Sequence, residues 1–201
     1  MLKKLLSIFV VSVLMIVTGS VVLATPNGKT LTAGKLGIDT GFKYISSGNT
    51  RTLLVPFIVG YGFNDSLDGF AGISDGGFGV NSSSGLYMSI KYQALKGNNK
   101  GLDLAFSTPL TFATINNTSV TQIGLIMNLS QDMSNFTPML ITGPTLVSGT
   151  NISQIIVPFS LGLVFSPFQN FDVYGTAGTT FGGTATSSPF MVLMGVEVRP
   201  F

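Results

Sequence analysis

The sequence predicts an all-β protein, an antiparallel up-and-down transmembrane β-barrel of about ten strands. Only 9% of the 201 residues are charged, against about 25% in an ordinary soluble domain. Apolar and polar residues alternate with period two along much of the chain, as in strands that have one face in lipid. Polar turns separate these runs, and most runs are near the ~9–11 residues with which a tilted strand crosses a bilayer. Together, composition, alternation and run length favour a barrel in a membrane.

The first 24 residues have the layout of a secretory signal peptide. Lys3 and Lys4 precede an apolar run over 5–17, and Ala24 supplies a small residue at the cleavage point. An uncleaved anchor is the alternative, because 5–24 is close to the ~20 residues of a membrane helix. We expect cleavage. The chain then has three parts, a signal peptide at 1–24, an N-terminal segment at 25–34 and an outer-membrane β-barrel at 35–201.

The ten predicted strands differ in the clarity of their pattern. In chain order they span 35–45, 51–63, 67–74, 85–95, 102–113, 120–130, 136–146, 152–165, 171–181 and 190–199. The third is short and contains glycine. The seventh is weak because Pro138 and Pro144 each remove a donor from the ladder. Without these two strands the barrel would have eight.

The composition excludes several classes of chemistry. The chain contains no cysteine and no histidine, so nucleophile–histidine pairs, thiol chemistry and zinc–histidine sites are impossible. We expect no catalytic residue, no cofactor and no metal site, and therefore no enzyme. Without Lys3 and Lys4 the chain has eight basic and eight acidic residues. A neutral chain with no basic cluster gives no reason to expect nucleic acid as a partner.

Charged residues on the strands share the face opposite the apolar one. Because an isolated charge in a narrow, low-dielectric interior is costly, opposite charges there should pair. Ten strands also lie nearer the side-chain-filled barrels than the wide channels of ~16–18 strands. The predicted lumen charge network consists of Asp39, Lys43, Lys91, Asp103, Asp172, Glu197 and Arg199.

The strand ends and connections suggest further roles. Short polar turns follow the even strands, whereas the connections after the odd strands are rich in Ser, Gly, Asn and Thr. We expect an external ligand, if there is one, at the loops 75–84 and 182–188. Aromatic residues near strand ends are candidates for interfacial girdles. They are Phe63, Phe70, Phe106, Phe112, Phe165, Phe171, Phe181 and Phe190.

The signal peptide, the strand–turn rhythm over 30–201, the YGFNDSL turn and the terminal Phe201 resemble small bacterial outer-membrane β-barrel proteins. The resemblance implies location in the cell outer membrane, contact with its lipid, and an insertion machinery that reads Phe201 on the last strand. Phe201 falls on the parity of Glu197 and Arg199, whereas the family keeps this residue in phase with the lipid-facing side. We expect Pro200 to break the strand locally and turn the ring outward.

The sequence thus predicts an outer-membrane β-barrel with a narrow lumen that side chains largely fill. Such a protein would have a structural or surface-loop role, or would pass small solutes slowly. The alternative from another class is a soluble exported β-sandwich that acts as a binding or adhesion module.

Overall fold

The computed structural model describes the chain in eight stretches. They are 27–47, 50–77, 84–97, 101–115, 118–149, 152–168, 170–183 and 189–199. The predicted signal peptide at 1–24 and the predicted insertion signal Phe201 lie outside the described residues. Much of the two candidate ligand loops, at 78–83 and 184–188, lies outside them too. Within the described stretches, no helix is long and apolar enough to cross a membrane.

Thirteen strand segments make up one sheet. In chain order they are β1 (Leu36–Ser47), β2 (Thr50–Asn64), β3 (Leu67–Gly77), β4 (Ser84–Leu95), β5 (Leu102–Ser107), β6 (Leu110–Ile115), β7 (Thr118–Gly124), β8 (Ile126–Gln131), β9 (Phe136–Thr142), β10 (Thr145–Gly149), β11 (Ile152–Phe168), β12 (Phe171–Gly182) and β13 (Phe190–Val198). Among the described residues, the strand pairs of this sheet are antiparallel, and β1 pairs with both β2 and β13. The first and last strands therefore close the sheet into a barrel.

The thirteen segments form ten barrel strands, because three strands are each interrupted once. The pairs β5–β6, β7–β8 and β9–β10 are halves of single strands. The interruptions lie side by side, at Pro109, at Leu125 and at Gly143-Pro144. Proline has no N–H to donate to the ladder. The carbonyls of Pro109 and Pro144 nevertheless accept hydrogen bonds from the N–H groups of Gly124 and Leu125, at 3.0 and 2.9 Å.

The ten-stranded up-and-down barrel predicted from the sequence is confirmed. The third strand continues to Gly77 rather than ending at residue 74. The seventh strand is present in two halves, β9 and β10, and reaches Gly149. The rim at which β1 begins and β13 ends is called the proximal rim below, and the opposite one is the distal rim.

The two faces of the wall separate apolar from polar side chains. On β11, the longest strand, Ile155, Leu161 and Leu163 point outward and are 63%, 58% and 45% exposed. Their neighbours of opposite parity, such as Val164, are covered inside the barrel. One girdle prediction is wrong. Phe70 is only 6% exposed, because it shares the parity of the buried Asp68 and points inward.

Candidate functional site

The lumen holds the residues for which the sequence predicts a charge network. Asp39, Lys43, Lys91, Asp103, Asp172 and Glu197 are each at most 5% exposed. The Arg199 side chain, which follows β13 at the proximal rim, keeps 31% exposure. Most of these groups lie toward that rim, so the lumen has a charged layer at its proximal end.

Three carboxylates form a row across the seam where the barrel closes. Glu197 on β13 is the register partner of Asp39 on β1 and of Asp172 on β12. Like charges directly opposite each other are destabilising. Arg199 offsets this repulsion, because its Nε donates to Glu197 Oε1 at 3.1 Å and its Nη2 donates to Asp172. The hydroxyl of Tyr174 donates to Asp39, so each carboxylate in the row has a donor.

The other predicted lumen residues lie in different surroundings. Lys91 donates to the carbonyl of Asn27 at 3.3 Å, and its Nζ lies 5.8 Å from the centroid of the Phe70 ring. Asp103 accepts hydrogen bonds from Gln93 Nε2 and the N–H of Gly97, at 2.9 and 3.0 Å. Lys43 is buried farther from the proximal rim, where Leu193 is its register partner. The structure thus brings Asp172, Glu197 and Arg199 together, with Asp39 beside them. Lys91 is the register partner of Asp68 on β3, and Asp103 and Lys43 lie in other parts of the lumen.

Sequence reasoning missed Asp68, which is fully buried in the lumen. Its Oδ2 accepts a hydrogen bond from the N–H of Leu31 at 2.9 Å, and its Oδ1 has no hydrogen-bond partner. The alternation of Asp68, Phe70 and Ser74 on one face of β3 was the available signal. With Asp68, the buried lumen groups and Arg199 comprise five acidic and three basic residues. Their formal charge is therefore negative.

Buried apolar side chains, called the apolar layer below, occupy the lumen alongside the charged ones. This layer consists of two clusters of buried side chains. They are Leu31, Ile58, Phe70 and Tyr87, and Ile126, Met139, Ile141, Val164, Tyr174 and Leu193. Apart from Leu31, these residues belong to the barrel wall, and the two clusters together draw on eight of its strand segments. The alternating pattern did not predict this layer, because an inward apolar residue looks like an outward one in sequence.

Residues 27–34, called the strap below, cross the mouth of the barrel at the proximal rim. Leu31 is 2% exposed and packs in the cluster of Ile58, Phe70 and Tyr87. The Lys29 ammonium forms an ion pair with Asp132. The strap ends in a turn in which Gly34, at φ +73°, donates its N–H to the Gly62 carbonyl at 2.8 Å. The strap therefore closes the mouth that the charged layer surrounds.

The strap and the wall leave a polar cavity of about 280 Å³ at the proximal rim. Asp65, Gln93, Lys96, Asp103 and Asp132 line its wall side. In the part of the chain that the structure describes, no group of three or more acidic side chains is arranged to hold a metal ion.

Comparisons with known proteins give structural likenesses only. No family model and no curated protein matches the chain. A loop L8 deletion mutant of OmpT, an outer-membrane protein of Vibrio cholerae, is 12% identical with a TM-score of 0.42; the match covers 85% of this chain and 61% of that one. The N-terminal β-barrel domain of Pseudomonas aeruginosa OprF is 12% identical, with a TM-score of 0.41 and coverage of 85% and 100%. Ail, the attachment invasion locus protein of Yersinia pestis, is 12% identical, with a TM-score of 0.32 and coverage of 84% and 100%.

The geometry of this chain confirms its resemblance to outer-membrane β-barrel proteins at the level of architecture. The barrel is closed and antiparallel, it has an even number of strands, and its exposed face is apolar, as in that class. The same architecture is compatible with proteins that are not enzymes.

Proposed function

We propose that this protein is a closed outer-membrane β-barrel that works through its rims and its lipid-facing wall rather than as an open channel. One observation carries the proposal: charged and apolar side chains from strands around the barrel point into the lumen and are almost fully buried. Water-filled channels need wider barrels, whereas barrels of about eight strands are filled by side chains. A structural or surface-loop role fits such a lumen best, and any solute passage would be slow.

The exposed apolar wall supports an outer-membrane location. Outward side chains such as Phe57, Ile73, Leu86, Ile90 and Ile155 are each about half exposed or more. Soluble monomers rarely expose a contiguous apolar patch larger than a few hundred Å². A bilayer covers such a wall, and a soluble β-sandwich would leave it in water. Lipid contact and insertion through the last strand are part of the proposal, as is an external ligand at the loops 75–84 and 182–188.

The conductance of the purified protein tests the closed lumen. In planar bilayers we expect rare, small steps from the wild type. The steps should carry cations in preference to anions, because the buried lumen groups are predominantly acidic. Ile126→Ala combined with Ile141→Ala, which thins the apolar layer, should make openings larger and more frequent. Large, stable wild-type openings would contradict the proposal.

A matched double variant separates the two layers. Glu197→Gln with Arg199→Gln removes charges from the charged layer and leaves the apolar layer intact. We expect a smaller increase in conductance from this variant than from the apolar pair. Heat-modifiable migration on a denaturing gel should show first that each variant has folded.

A further inference from the structure

We propose that the proximal mouth of the barrel is a binding site for an extended peptide, and that the strap is its resident ligand. The inference rests on the proposed function, because a closed barrel offers its rims for interactions. Two sets of contacts carry it: recognition of the strap backbone and recognition of three of its side chains.

The mouth recognises the strap through its backbone at several points. Ser130 Oγ accepts from the N–H of Gly28, and Asp68 Oδ2 accepts from the N–H of Leu31, both at 2.9 Å. Lys91 Nζ donates to the Asn27 carbonyl. The strap forms no part of any strand segment. Side chains of the wall hold residues 27–31, and Gly34 at its end bonds to the backbone of β2.

The mouth also selects side chains. A Cβ on Gly28 would lie 2.6 Å from the Asp103 carbonyl oxygen, so only glycine fits at that point. Next along the strap, Lys29 meets Asp132, whose other oxygen accepts from Thr137 at 2.8 Å. Leu31 enters the apolar cluster two residues later. Between these two residues, the Thr30 hydroxyl lies 3.0 Å from the Asp65 carbonyl oxygen and 2.9 Å from Gln93 Oε1, both acceptors. The recognised pattern is therefore Gly-Lys-Thr-Leu, in which the lysine pairs with an acidic side chain and the leucine packs in an apolar cluster.

The strap resembles a bound ligand because it contacts the wall at separate points and leaves space beside it. Thr32 and Ala33 are exposed, and Ala33 contacts the wall through a long hydrogen bond of 3.4 Å from its N–H to Asp65 Oδ1. The cavity beside the strap is not filled by side chains. The thirteen paired segments do not include the strap, so its displacement breaks no strand pair. The mouth can then accept any extended peptide of the same basic–apolar pattern when the strap is out.

The strap is covalently joined to β1, and this connection sets the affinity that the site must have for it. A short flexible tether gives a local concentration in the millimolar range, so a seated strap requires an intrinsic Kd below about 1 mM. A free peptide with the strap sequence, NGKTLTAG, should therefore bind a mouth from which the strap has been displaced. The wild type should not bind it, because its site is occupied.

The experiment is a fluorescence-anisotropy titration of labelled NGKTLTAG against refolded full-length protein in detergent micelles. Lys29→Glu with Leu31→Asp displaces the strap by repulsion from Asp132 and by a charge in the apolar cluster. Thr32→Asp is the control for the Leu31→Asp change, since it adds the same single negative charge at an exposed neighbour. We expect the displaced variant to bind with a Kd below about 1 mM. The wild type and Thr32→Asp should bind at least about tenfold more weakly, because their straps compete.

A second peptide tests whether binding depends on the leucine, and a second variant replaces the first if the first does not fold. The same peptide with aspartate in place of leucine should not bind the displaced variant. If the charged variant does not fold, Leu31→Ala replaces it, because loss of the buried side chain weakens the strap by at least about tenfold. A folded, displaced barrel that does not bind NGKTLTAG would overturn the inference, as would equal binding by the wild type. Large wild-type conductance would instead overturn the closed lumen and leave the peptide result standing.

Discussion

Replacing Arg199 by glutamine should destabilise the folded barrel by roughly 3 kcal/mol. Arg199 is the donor to both Asp172 and Glu197, whose side chains are 4% and 2% exposed. Without it, Glu197 faces a carboxylate on each side, since Asp39 and Asp172 are its register partners. Leaving a buried charge without its partner costs about 3–5 kcal/mol. The lower end applies here because the Arg199 side chain is 31% exposed.

Urea unfolding in lipid vesicles measures this loss. Circular dichroism follows the transition, because the chain contains no tryptophan whose fluorescence could report it. Two comparisons make it specific. Glu197→Gln combined with Arg199→Gln should recover part of the stability, because it removes the central charge of the row. Lys29→Gln breaks the ion pair with Asp132, in which both side chains are about one-third exposed, and should cost less than about 1 kcal/mol. Equal effects of Arg199→Gln and Lys29→Gln would show that the seam row is not held by Arg199.

Strand number and strand faces could be predicted from this sequence because each depends on local alternation. A residue's parity places it inside or outside a closed wall, and this placed Asp39, Lys91 and Glu197 in the lumen without knowledge of their neighbours. The weak third and seventh strands are present because pairing to strong neighbours on both sides stabilises them. In the third and seventh strands, isolated alternation therefore underestimates the length that pairing produces.

The interruptions were only partly predictable. Pro144 marks one break, and its effect on the ladder follows from the missing N–H. The break at Leu125 has no proline beside it in sequence. It lies between the breaks of the two neighbouring strands, with Gly124 bonded to Pro109 and Leu125 bonded to Pro144. A break in one strand thus changes the hydrogen bonding of the neighbouring strand. The sequence of a single strand does not show this effect.

The candidate site was the least predictable part. The partners of the charged residues depend on register, and the contacts of the strap join residues far apart in sequence. Gly28 and Ser130 are 102 positions apart, and Leu31 and Asp68 are 37 apart. The apolar layer was hidden for a different reason. Ile58 and Val59 are adjacent, similar in chemistry and opposite in environment, with 0% and 38% exposure.

Arginine at Leu161 should destabilise the barrel by about 2–4 kcal/mol if the wall lies in lipid. Leu161 is near the middle of β11, points outward and is 58% exposed. A charge at the bilayer midplane loses its hydration, whereas the same charge near an interface keeps most of it. Phe168 ends the same strand at the proximal rim and is 72% exposed. Phe168→Arg should therefore cost only about 0–1 kcal/mol.

The comparison of these two variants decides between a membrane barrel and a soluble exported protein. Both side chains are well exposed on one strand, so packing losses are small and comparable. In water, arginine at either position would meet solvent, and the two free energies of unfolding would be nearly equal. In lipid, the cost should increase with distance from the rim, with Leu161→Arg the more damaging. Unfolding titrations of the two variants beside wild type, in vesicles, measure the difference directly. A difference below about 0.5 kcal/mol, the usual size of surface effects, would contradict a lipid-covered wall.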